Sequence, residues 1–366
     1  MKILFISRAY PPIIGGIENQ NYGIAKSLSE ISNIEIVANK KGKKFLPLFS
    51  LWILLKMPFI IWKYDVVLLG DGVISPLIIP FKLLCPQKKF VSIIHGLDIT
   101  YAHKKTLMSR IYRLINISAL KMLDKLIMVG NHTIKEAIKF GVPKNKCVFI
   151  PNGFDIKKIY HKHSRNELEE LLKINLKNKK VILRVGRFVK HKGLLWFIKN
   201  VMPKLPDNYI LVGAGGRNRK TTGDSDIYPA CQKAIARNNL QNRIKLFANI
   251  SQAKMNILFN TVDLFISPNI EVPGSMEGFG INAIEGSACR KVVIASNLQG
   301  LKDAVANGRN GFLIEAGNVK LWTKKIIDVL NDDNFRKEFG KRAQQYTIEN
   351  FSWEKIAKKY LEELKK

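Results

Sequence analysis

The chain has 366 residues, room for two α/β domains with a core in each, and carries 60 Lys and Arg against 29 Asp and Glu, a formal net charge of +31. That balance calls for an anionic partner: a phosphorylated substrate, an acidic lipid surface or nucleic acid. Cys85, Cys147, Cys231 and Cys289 stand singly with no paired spacing, which argues against a disulfide scaffold or a cysteine metal site and fits a reducing cytoplasm.

In chain order, KILFIS reads as a first buried strand, its apolar run being shorter than the core of a signal peptide. The next segment, GGIENQNYGIAKSLSE, opens a helix with Gly15 and Gly16; this is either a plain strand-to-helix turn or a place where backbone N–H groups meet a phosphate or sugar. After the strand IEIVA comes FLPLFSLWILLKMPFIIW, positions 45 to 62, the most apolar stretch of the chain. Lys56, Pro47 and Pro58 interrupt it, whereas a spanning helix needs about 20 nearly charge-free residues. An interfacial helix or a core helix of the first domain is expected instead.

The strands DVVLLG, KFVSIIH, KLIMVG and CVFIPN follow. KFVSIIH ends in His95, with Asp98 just beyond, so His95 is either a satisfied core histidine or a ligand for a sugar hydroxyl. The polar stretch at 154 to 170 marks a seam, and six more strands succeed it: KVILRVG, YILVGAGG, RIKLF, VDLFISP, KVVIAS and GFLIEAG. Apolar runs alternating with amphipathic segments predict two doubly wound, Rossmann-like α/β domains facing across a cleft. The expected boundaries are 1–160, 161–350 and a C-terminal helix, 351–366, packing back on the first domain.

Four stretches of the second half bear on chemistry. In RVGRFVKHKG, Arg184 lies within a strand while Arg187 and Lys192 flank its carboxyl end, where two cations can clamp a diphosphate. VGAGG lacks the full dinucleotide fingerprint. DSD at 224 to 226 reads as solvated loop and not as a metal site. In MEGFGINAIEG, Glu277 and Glu285 would sit about 12 Å apart on an unbroken helix, too far for a glycosidase pair of carboxylates, and look like two grips on one long ligand. No metalloprotease His pair, nucleophile elbow or phosphate-loop ending is present.

PPIIGGIE, HGLD, IPNGFD, GRFVKHKG, VGAGG and EGFGINAIEG occur in the order found in the family 4 retaining glycosyltransferases of the GT-B fold, and the chain resembles that family over nearly its whole length. The resemblance implies that Glu277 contacts the donor sugar, Glu285 accepts from the ribose hydroxyls, and Arg187 and Lys192 bind the diphosphate and stabilise its charge as it leaves. It also implies that Gly278, Phe279, Gly280 and Ile281 present backbone amides to the donor, with Gly213 beside it. His95 would line the sugar pocket, and Gly15 and Gly16 would approach the donor from the first domain.

The implied reaction moves a hexose-type sugar from a nucleotide-diphosphate sugar to a lipid-linked or cell-envelope glycan, with retention and with neither cofactor nor metal. The alternatives are an idle nucleotide-sugar-binding protein of the same fold, or transfer to a soluble acceptor. A nucleic-acid partner is not expected, because no recognised binding module is present. Between positions 36 and 125, 15 Lys and Arg face four acids around the apolar stretch, so an anionic membrane surface is an expected partner, at the inner face of the cell membrane.

Overall fold

The computed structural model describes every residue except Ile14, Lys104 and residues 218–225. The chain divides into two compact units, Met1–Phe154 together with Phe351–Lys366, and Asp155–Asn350.

The first unit is a six-stranded parallel sheet of β1 (Lys2–Ser7), β2 (Asn33–Ala38), β3 (Val66–Leu69), β4 (Lys89–Ile94), β5 (Lys125–Met128) and β6 (Cys147–Phe149), in the order β2-β1-β3-β4-β5-β6. Runs such as VVLL in β3 are buried throughout because helices cover both faces of a parallel sheet. Leu4, Ile6, Val67, Leu69, Phe90 and Ile94 share one core cluster with Ile53, Met57, Ile78, Phe81 and Leu120 from the covering helices. The terminal helix Trp353–Lys365 packs on the helix Gly16–Ser29. Trp353 fills the space above Gly23 and Gly153, where an added Cβ would come within 2.2 and 2.5 Å of its ring.

The apolar stretch forms the helix Leu46–Ile60. It is not a core helix: within it only Ile53 and Met57 are buried, while Leu55 is 63% and Phe59 77% exposed. With its flanking turns, Lys43–Lys63, it is long and apolar enough to cross a membrane by length and composition.

The second unit repeats the architecture with β7 (Lys180–Val185), β8 (Tyr209–Gly215), β9 (Ile244–Ala248), β10 (Leu264–Ser267), β11 (Val292–Ser296) and β12 (Phe312–Ile314), ordered β12-β11-β10-β7-β8-β9. Its core gathers Ile182, Phe197, Leu211, Ile266, Ile294 and Trp322. All twelve segments read as strands are strands, and each unit is Rossmann-like. In such sheets the carboxyl ends of the strands, where the order reverses, collect ligand-binding groups; in the second unit that point lies between β7 and β10.

Candidate active site

In the second unit the loops leaving β7, β10 and β11 converge. Past β7 the chain turns at Gly186, runs through the 3-10 turn Lys190–Lys192 and reaches Gly193, whose φ of 72° favours glycine. A Cβ on Gly193 would lie 1.6 Å from the Pro268 carbonyl oxygen, so this turn presses directly on the segment after β10. The Ile270 amide donates to the His191 carbonyl across the same contact at 2.9 Å.

That approach brings Lys192 onto the Glu277 carboxylate, which also accepts from Asn269 Nδ2 at 3.0 Å. The Glu277 amide donates to Gln299 Oε1 at 2.8 Å, and Gly300 N–H donates to the Glu277 carbonyl at 3.1 Å. Burial alone would raise the Glu277 carboxyl; Lys192, with His191 and Asn269, more than offsets it and holds the group below the usual carboxylate range. Arg187 is exposed and its guanidinium makes no hydrogen bond, ion pair or ring contact with a side chain among the described residues.

Glu277 and Glu285 do not share a helix. Gly278–Gly280 is a loop lying against Gly300, where a Cβ would come within 2.3 Å of the Gly278 carbonyl oxygen, and the helix begins only at Ile281. Gly280, at φ 104°, caps that helix without a side-chain hydrogen bond; its carbonyl accepts from the Ala283 amide at 2.9 Å, and the amides of Ile281 and Asn282 are the ones left over at the helix start. Asn282 Nδ2 donates to the Val185 carbonyl at 2.9 Å and ties the helix start to the end of β7. Phe279 is buried. Glu285 sits one turn in, partly open at its surface, with no side-chain partner among the described residues, and burial pushes its carboxyl up to about 7.

Gly213 is buried inside β8, and the room left by its missing side chain is taken by Leu246 and Leu194, whose methyls stand 2.8 and 3.1 Å from a Cβ position. Its neighbours at the strand's carboxyl end are Gly215 and Gly216. Asp224 lies outside the described residues; Asp226 pairs with Arg217 at 2.8 Å and caps the Tyr228 amide. No group of three His, Cys, Asp or Glu fit to hold a metal occurs among the described residues.

In the first unit, Gly15 is the N-cap of the helix Gly16–Ser29 in extended backbone, and Gly16 faces open space. His95 ends β4 with Nε2 at 2.9 Å from the Gly70 carbonyl. A carbonyl only accepts, so Nε2 carries a proton, and in the neutral ring Nδ1 is then the acceptor. The His95 amide donates to Asp98 Oδ2 at 2.9 Å. Asp98 is itself buried close to the Arg8–Asp71 ion pair (2.9 Å), and burial, then Asp71, pushes its carboxyl up.

The sequence reading missed Asn269, Gln299 and Asn282. Asn269 and Gln299 lie two or three residues beyond a strand's carboxyl end, the position that singled out Arg187, and that rule would have found them.

The two Rossmann-like units, with polar groups massed at strand ends, define a GT-B fold. The Glycosyltransferase Family 4 model matches residues 14–158 and the Glycosyl transferases group 1 model residues 167–346. An uncharacterized glycosyltransferase of Methanocaldococcus jannaschii is 30% identical over 244 residues, 66% of this chain and 60% of that protein. The N,N'-diacetylbacillosaminyl-diphospho-undecaprenol alpha-1,3-N-acetylgalactosaminyltransferase of Campylobacter jejuni is 25% identical over 245 residues, again 66% of this chain and 60% of that protein. The chain thus aligns with about three-fifths of the length of these two relatives. The crystal structure of Anabaena HepE in complex with UDP superposes with a TM-score of 0.78 at 20% identity, covering 100% of both chains, a likeness that shows the fold alone. The chain belongs to the family 4 glycosyltransferases of the GT-B fold.

Proposed function

We propose that the protein transfers a hexose-type sugar from a nucleotide-diphosphate sugar to a lipid-linked or cell-envelope acceptor, with retention and without a metal ion. One observation carries this reading: Lys192 is held on Glu277 in the loop that also carries a free Arg187, and between Glu277 and an unpartnered Glu285 a helix starts with the Ile281 and Asn282 amides open. Arg187 and Lys192 take the diphosphate, the amides of Phe279 to Ile281 meet the donor, and Glu285 accepts from the ribose. In the first unit, Nδ1 of His95 accepts from a sugar hydroxyl, and Gly15 and Gly16 give the donor backbone contacts. The sugar–phosphate bond breaks as the acceptor oxygen bonds to the anomeric carbon, and the acceptor's proton passes to the departing phosphate. Thermal melts with UDP, GDP and ADP in EDTA test the binding step: one of the three is expected to raise the melting temperature, and a flat response to all three contradicts the reading.

Binding carries a pH signature. A carboxyl lying near 7 is half protonated at neutral pH, and its ionised form accepts from the two ribose hydroxyls more strongly than its neutral form. Nucleoside diphosphate affinity should therefore rise as pH passes upward through about 7. Glu285→Gln should weaken binding about tenfold at pH 8, roughly the loss of one charged hydrogen bond, and remove this part of the pH dependence. Calorimetric titrations of both proteins between pH 6 and 8 check it; parallel profiles would rule Glu285 out as the source.

The acceptor reading rests on the diphospho-undecaprenol acceptor in the Campylobacter relative's name and on the first unit's surface. Ile53 and Met57 anchor the helix Leu46–Ile60 in the core, which favours a helix lying in the membrane interface over one that crosses it, with Leu55, Phe59 and Trp62 turned outward. The same unit carries a second apolar surface, unnoticed in the sequence: Leu107, Met108, Leu114 and Ile115 are more than half exposed on the helical run Leu107–Ile117, which carries Arg110 and Arg113. The basic residues between 36 and 125, of which Lys104 is outside the described residues, suit an anionic bilayer, each worth about 1 kcal/mol near the surface. The four cysteines are all free, which favours the cytoplasmic face. Sedimentation with liposomes should show binding that requires acidic lipid, weakens with salt and falls when Lys40, Lys41, Lys43 and Lys44 become glutamate. Equal recovery in the supernatant with and without acidic lipid would point to a soluble acceptor.

A further inference from the structure

Arg184 is one of the largest fully buried side chains in the protein, 1% exposed within β7. Among the described residues no carboxylate forms an ion pair with it. Its guanidinium is instead taken up by three main-chain carbonyls: Nη1 donates to Gly186 at 2.6 Å, and Nη2 to Arg187 at 3.1 Å and Lys192 at 3.3 Å. Two of those carbonyls belong to the residues assigned to the diphosphate, and the third to the glycine that starts their loop. Gly186 is held from the other side as well, since a Cβ on Gly215 would lie 2.1 Å from its carbonyl oxygen.

A buried cation without a carboxylate is costly, and an apolar side chain of similar volume would pack β7 at less expense in solvation. Burial pushes the guanidinium down to about 10, which still leaves it charged at neutral pH. What an apolar residue lacks is the planar fork, which reaches both ends of the 186–192 loop at once.

We infer that Arg184 is a positioning residue for the donor diphosphate: it ties Gly186 and Arg187 to Lys192 from beneath, so that the two cations meet the leaving group in a loop already shaped for it, with a fixed positive charge behind them. This rests on the donor reading above and deepens it. Preorganised charge of this kind is worth more than charge that must be gathered on binding.

The test compares Arg184→Met and Arg184→Lys with the wild type, using thermal melts, calorimetric affinities for UDP and UMP, and kcat; the guanosine or adenosine pair replaces these if the wild type prefers it. Arg184→Met is expected to melt cooperatively, bind UMP within about threefold of wild type, bind UDP at least tenfold more weakly and lose at least tenfold in kcat. Arg184→Lys, which keeps the charge but not the fork, should recover part of the loss. Unchanged UDP binding and kcat, or UMP and UDP affinities that fall together, overturn the proposal. If Arg184→Met does not fold, the UDP-to-UMP affinity ratio of Arg184→Lys decides: a ratio at least threefold lower supports it and an unchanged ratio overturns it. A wild type that binds none of the three nucleoside diphosphates overturns the donor reading itself and this inference with it, whereas wild-type binding with unaltered variants overturns the role of Arg184 alone.

Discussion

Arg187→Ala is expected to lower sugar transfer about a hundredfold or more without moving the melting temperature. The two halves of that expectation have separate causes. The Arg187 side chain is exposed and makes no hydrogen bond or ion pair with another side chain among the described residues, so its removal opens no buried cavity and strands no polar partner. In the transition state, however, it would meet charge developing on the departing diphosphate. Deleting one such contact costs roughly 3 kcal/mol, about a hundredfold in rate. Steady-state kinetics with a melt on the same preparation check both halves. Wild-type turnover in the folded variant would remove Arg187 from the site, and a collapsed melt would recast it as structural.

Glu277→Gln should separate binding from turnover. Glu277 holds the Lys192 ammonium and accepts from Asn269, and it would also grip the donor sugar. Neutralising it frees Lys192 for phosphate, so affinity for the nucleoside diphosphate should stay level or rise. Losing a charged hydrogen bond to the sugar should cut kcat by roughly tenfold to a hundredfold. The variant leaves Lys192 half-buried beside an amide, so a modest loss of thermal stability should accompany the change. Diphosphate affinity that falls in step with kcat would mean that Glu277 only shapes the loop.

The strands were legible because parallel strands covered on both faces are nearly continuous apolar runs, as in VVLL of β3 and the VVIA that opens β11. Arg187 and Lys192 were singled out for a related reason: polar residues past such a run fall at the carboxyl edge of a sheet, whereas Glu277 drew notice by its spacing from Glu285 and by the family resemblance. Spacing along the chain did not show how Glu277 is held. The helix begins only at Ile281, and the loop before it is fixed by contacts with Gln299, Gly300 and Leu301, more than twenty residues away. Depth was equally hidden. Three glycines in VGAGG look alike, yet Gly213 lies under Leu194 and Leu246 while Gly215 lies against Gly186. Alternation placed Arg184 in a strand but not its guanidinium under the next loop. The apolar surface at 107–117 escaped notice because Arg110, Arg113 and Asn116 break it into pieces too short to read as one face.

The measurement that bears most directly on the proposed activity is the release of nucleoside diphosphate from UDP-, GDP- and ADP-sugars, followed over hours in EDTA with wild type and Arg187→Ala side by side. One donor series should be cleaved slowly by the wild type, with water replacing the absent acceptor, and at a rate at least about a hundredfold lower by the variant. Release from none of the donors, equal release by both proteins, or release that appears only when magnesium or manganese is restored would contradict a metal-independent nucleotide-sugar transferase built on Arg187; the last result would return attention to Asp224 and Asp226.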